Sequence, residues 1–292
     1  MVRLIATAAA AAALLAGAAS AQDAAPAGDV TVVEEVTVRA APKEVIADFV
    51  ASVSAPTKER KLARWNKTIC PATLGLERRY AEYLNDRLAA VALDAGVKIA
   101  KPGCRPDLLI IVTADPQALL TQMAADHGDF FAVKRWSYER TSAGSAEDLR
   151  AFVSADRPVR WWHVSESVPA DGRPLGGGGA ALRVTSPSRL RDTMREDFQH
   201  ALLVVDARHA RGVTYQALAD YVAMAALAQL NEEADTAHVP TILNLFKADA
   251  SRRPAGLTDW DRAYLRGLYG ARADAPDLRS QRGRILSSMR RR

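Results

Sequence analysis

The sequence predicts an α+β fold, with a small N-terminal α/β layer domain carrying one disulfide and a second α+β domain after it. Three observations lead there. Between Val30 and Ala125, strand-like and helix-like segments alternate, the usual mark of a layered α/β unit. The only two cysteines, Cys70 and Cys104, both fall inside that segment. In the C-terminal half a strongly apolar strand, Ala201–Asp206 (ALLVVD), passes through Gly212 into a long apolar helix.

The first 21 residues are set aside from the fold. Arg3 supplies one positive charge, Leu4–Ala16 is an apolar run too short to span a bilayer, and Ala19-Ser20-Ala21 offers the small-x-small pattern of signal-peptide cleavage. Cleavage is expected between Ala21 and Gln22, which predicts an exported chain, periplasmic or extracellular. No cysteine stands at the cleavage point to take a lipid, and no later stretch reads as a transmembrane segment. In an oxidising compartment an even count of two cysteines predicts a structural Cys70–Cys104 bridge, since neither a CxxC spacing nor nearby histidine ligands point to redox or metal chemistry.

Along the mature chain, residues 22–29 read as a flexible Ala/Pro/Gly leader and Val30–Val38 as a β-rich run. Helical patterns follow at Lys43–Val53 and from Leu76 to Leu93, then a short strand at Val97–Ala100. Leu108–Thr113 is a continuous apolar run of strand length, expected to be buried on both faces, and Pro116 opens a helix through Ala125. These elements make up the predicted domain of residues 30–125.

The second predicted domain spans residues 126–270. Val159–Ser165 (VRWWHVS) reads as a strand in which Trp161 and His163 share one face, either core or an exposed stacking surface. Asp171-Gly172 is a turn signal. The run Gly176–Gly179 lacks the Gly-Lys-Ser/Thr of a phosphate loop and reads as a flexible loop before a strand-like Ala180–Thr185. A helix is expected at Leu190–Phe198. Thr214 is the expected N-cap of an apolar helix from Tyr215 to Leu230, and Thr258 with Asp261 the expected capping box of another, whose buried face is Trp260, Tyr264, Leu265 and Leu268.

The net charge is +5, and it is uneven: six arginines and one carboxylate lie between Asp277 and Arg292. Residues 271–292 read as a basic C-terminal tail, a solvated and frayed terminus or an anchor to an anionic surface of the envelope. Nothing in the pattern indicates a specific nucleic-acid site.

The order ALLVVD, Gly212, ALADYVAMAALAQL, PTILNLF (Pro240–Phe246) and GLTDWDRAYLRGLY (Gly256–Tyr269) resembles an uncharacterised family of exported bacterial zincin-like domains. The resemblance implies a zincin-like C-terminal domain in which a strand leads to an active-site helix. It also implies a His-Glu-x-x-His zinc motif on that helix, and here the sequence departs. The helix reads Ala219-Asp220-Tyr221-Val222-Ala223-Met224 and carries no histidine; His209 and His238 only flank it. The scaffold is implied and the zinc site is not, so no metal or other cofactor is expected.

No catalytic motif stands in the chain. Asp220, the one acid inside the apolar helix, needs either an arginine partner or a cleft. The expected function is a non-catalytic binding or scaffolding protein of the cell envelope. The alternative is a secreted hydrolase with an unrecognised, non-zinc active site, for which Asp220, Glu232, Glu233 and His238 are the cleft candidates.

Overall fold

The structure, a computed structural model, describes residues 42–56, 61–132, 141–171 and 191–291. Ala40–Arg292 form one compact unit. The residues expected to form a signal segment (1–21) and a leader (22–29), together with Val30–Val38 and Gly176–Thr185, lie outside the described residues.

The fold is mixed α+β with one disulfide, Cys70–Cys104, whose Cα atoms are 6.0 Å apart. Helix α1 (Lys43–Val53) comes first, followed by strand β1 (Pro71–Leu74), helix α2 (Arg78–Asp94) and strand β2 (Leu108–Thr113). Helix α3 (Pro116–Asp126), the short strand β3 (Thr141–Ser142) and helix α4 (Ala146–Ser154) lead to the long strands β4 (Val159–Pro169) and β5 (Met194–Asp206). Helices α5 (Tyr215–Leu227), α6 (Asp259–Gly270) and α7 (Leu278–Met289) complete the chain.

The strands form one sheet in the order β1-β2-β5-β4-β3. β1, β2 and β5 are parallel, while β4 runs antiparallel to β5 and β3 antiparallel to β4. β1 and β2 belong to the segment predicted as residues 30–125, and β3, β4 and β5 to the segment predicted as 126–270. Because β2 pairs with β5 along its whole length, a boundary at residue 125 divides neither the sheet nor the core.

Alternation along the strands sends side chains to two helical layers. Leu108, Ile110, Leu203 and Val205 pack with α1, α2, α5, α6 and α7, whereas Leu202, Val204, Trp162 and Val164 face α3 and α4. Helix α5 is the centre of the larger layer. Thr214 caps it by accepting from Ala217 N, and ten of its thirteen residues are buried, as an apolar sequence on all sides requires.

Three expectations are corrected. Leu190–Phe198 is not a helix, because Met194–Phe198 begins β5: Arg195 and Asp197 lie on one face, with Nη2 and Oδ2 2.8 Å apart, and the ladder to β4 outweighs local helix preference. Val97–Ala100 is not a strand of the sheet; Ile99 makes a single parallel bridge to Ile69. The basic tail is not frayed. Its residues 278–289 form α7, with Gln281, Ile285 and Met289 buried against the core. The Gln281 amide pairs with Leu62 on both sides, accepting from Leu62 N at 2.7 Å and donating to Leu62 O at 3.1 Å.

Candidate functional site

Strand β4 positions the site. Asp206 N donates to Pro158 O at 2.9 Å, and Arg160 stands opposite Val204 and Trp162 opposite Leu202. In an antiparallel ladder the backbone groups alternate sides, so Pro158, Arg160 and Trp162 turn theirs to β5, while Val159, Trp161 and His163 turn theirs away. On that outer side the only described strand is β3, and it pairs with β4 at Ser165 and Glu166 alone. The Val159–His163 stretch is therefore an unpaired edge among the described residues.

Beside this edge lies a cavity of about 300 Å³. One wall is α4, through Asp148, Ala151 and Phe152, with its C-cap Ala155. The other is a short ribbon in which Ser54 bridges Leu230 and Ala55 N donates to Gln229 O at 3.1 Å. The ribbon exists because α5 ends at Leu227 and the chain turns extended, which lets Leu230 return beside the end of α1. Arg157 stands at the mouth, paired with Glu232 and, at 3.0 Å, with Glu233.

Arg160 lines the same cavity and is only 3 % exposed. Its Nη1 donates to Val153 O at 2.9 Å, near the C-terminal end of α4, where a cation suits the helix dipole. Its Nε is buried without a partner, and no described carboxylate forms an ion pair with it. Burial lowers its pKa, and the more distant Asp206 and Asp156 only partly offset that.

His163 and Trp161 do share a face, the one toward α5. The imidazole stacks on Phe198 with centroids 4.6 Å apart, and Trp161 meets Tyr221 at 6.3 Å. Burial pushes the His163 pKa down to about 4, against hydrogen bonding to the backbone at Ala226 and Ala225. At neutral pH the ring is uncharged, and its Nε2 is buried without a hydrogen-bond partner.

The four residues expected to converge do not form one cleft. Asp220 is fully buried and bidentate with Arg87, its Oδ2 lying 2.9 Å from Nη2 and also accepting from Leu257 N at 2.8 Å. Glu232 and Glu233 share Arg157. His238 is exposed and lines a separate cavity of about 460 Å³ with Lys247 and Thr258.

A second cluster, missed by sequence reasoning, stands at the carboxyl end of β5. One ligand atom each from Asp156, Asp206 and His209 lies within 4.8 Å of the other two. Asp206 is fully buried, with His209 Nδ1 3.3 Å from its Oδ2. The Arg208 guanidinium holds both its oxygens and pulls its pKa down to about 2, with Oδ2 2.6 Å from Nη2. Donors on a tetrahedral zinc stand about 3.4 Å apart, so a metal would have to draw the cluster together and displace Arg208. As it stands, the cluster is a charge network that fixes the end of the strand.

No protein-family model, curated protein or solved structure matches the chain. The likeness to exported zincin-like domains therefore rests on the sequence segments alone. Among the described residues no helix is long and apolar enough to cross a membrane.

Proposed function

We propose that the chain is an exported, non-catalytic binding protein of the cell envelope on a degenerate zincin-like scaffold, and that its groove takes an extended peptide segment along the edge of β4. The observation that carries this reading is the row of outward N–H and C=O groups at Val159, Trp161 and His163 beside an open cavity. An unpaired strand edge is a template for one more strand, and natural proteins cover such edges unless they use them. The signal-like residues 1–21 support export, and the histidine-free helix α5 supports binding over hydrolysis. The rival reading of a secreted hydrolase loses its buried acid, since Arg87 and Leu257 N already occupy Asp220.

The test is a titration of the mature protein, from Gln22, with alternating Val/Thr pentapeptides, read by tryptophan fluorescence. Ala151 is exposed on α4 and lines the groove, so Ala151→Trp should fill it and weaken binding at least tenfold. Saturable binding that ignores Ala151→Trp, or turnover of the peptide, defeats the reading. Export is checked by sequencing the N-terminus of the protein recovered from the periplasm, which should begin at Gln22.

A further inference from the structure

Two nitrogen atoms on β4 are buried and unsatisfied, and they lie on opposite faces of the strand: Arg160 Nε on the α4 side and His163 Nε2 on the α5 side. Buried polar groups in folded proteins nearly always find partners, so each orphan asks for an explanation. For Arg160 the question is sharper. A guanidinium almost wholly removed from water is costly unless an anion compensates it, and among the described residues none pairs with it. The carbonyl of Val153 accounts for Nη1 and leaves the Nε edge open.

We propose that Arg160 is the carboxylate-binding group of the groove, and that the bound segment carries a carboxylate to it. This rests on the peptide-binding reading above and names the chemistry of its ligand. The planar fork of arginine suits a carboxylate. A segment that brings a carboxylate to the Nε edge satisfies the Arg160 orphan.

Three acetylated pentapeptides of the Ala-Val-Thr-Val-Ala type separate the sources of the carboxylate: one with a free C-terminus, the same peptide amidated, and an amidated peptide with aspartate at its centre. Tryptophan fluorescence reports binding, because Trp161 and Trp162 line the groove. Either carboxylate peptide should bind at least tenfold more tightly than the plain amide, the preferred one identifying a C-terminal or a side-chain carboxylate. In Arg160→Met the preference should fall to about unity, and Arg160→Lys should restore part of it. A role confined to capping α4 would weaken the fold without changing this ratio, so a preference that survives in a folded Arg160→Met protein overturns the assignment. Equal binding of all three by the wild type overturns the carboxylate subsite and leaves the groove standing; binding of none overturns both.

Discussion

Arg87 on α2 grips Asp220 on α5 through both carboxylate oxygens, and the backbone N–H of Leu257 completes the hold. The acid inside the apolar helix is therefore a cross-brace between two helices and the segment that enters α6. Gly256 is part of the same fit, since a Cβ there would lie 2.6 Å from Asp220 Oδ2. Removing one partner of a buried pair strands the other. Asp220→Asn should lower stability by about 2–4 kcal/mol, less than for a fully enclosed pair because Arg87 is 27 % exposed and regains some hydration. Urea denaturation checks this. The double variant Asp220→Leu with Arg87→Leu should recover much of the loss.

Acid should weaken the fold in two stages. His163 titrates near 6.5 when unfolded and at about 4 when folded, so the unfolded chain binds more protons between those values and stability falls as pH drops through that window. The contribution is about 2–3 kcal/mol. Asp206 follows. Its folded pKa of about 2 lies below the ordinary 3.8, so its stabilisation is complete above about pH 4 and disappears toward pH 2. That share is about 1–2 kcal/mol, because Arg208 is 57 % exposed and the pair is partly screened. Unfolding free energies measured from pH 7 to 2 should show both slopes. His163→Gln should flatten the upper one and Asp206→Asn the lower.

The disulfide closes a separation of 34 residues and ties the entry of β1 to the loop before β2, where Cys70 N also donates to the Asp107 carboxylate at 2.8 Å. On the chain-entropy scale, opening it costs about 4 kcal/mol. Reduction, or the pair Cys70→Ala and Cys104→Ala, should lower the denaturation midpoint accordingly. A midpoint unmoved by reductant would show that the loop is held by β1–β2 pairing alone.

What the sequence revealed follows from the range of the forces involved. Helix α1, strand β2, the Thr214 cap and the Thr258–Asp261 box are set by neighbours within a few residues, and they stand where local patterns place them. The start of β5 is different: Met194–Phe198 is fixed by a ladder to β4, a partner that local pattern does not name. Helix α7 was hidden by its arginines, although Gln281, Ile285 and Met289 recur every four residues as one buried stripe. The groove was the least legible. VRWWHVS reads as a strand, but that its edge lies open beside α4 depends on the order of the whole sheet.

Helix α7 lends itself to a differential test built on two glycines. A Cβ at Gly267 in α6 would lie 2.6 Å from the Cα of Ile285, so the two helices touch there backbone to backbone. Gly283 in α7 is exposed, and a Cβ there meets nothing within 4 Å. Gly267→Ala must push α7 away and should cost about 1–3 kcal/mol. Gly283→Ala removes backbone entropy from the unfolded chain at no steric cost and should stabilise by about 0.5–1 kcal/mol. Thermal unfolding of the two variants should move in opposite directions. If both left the midpoint unchanged, α7 would be uncoupled from the core, and the basic C-terminus would again be a free tail.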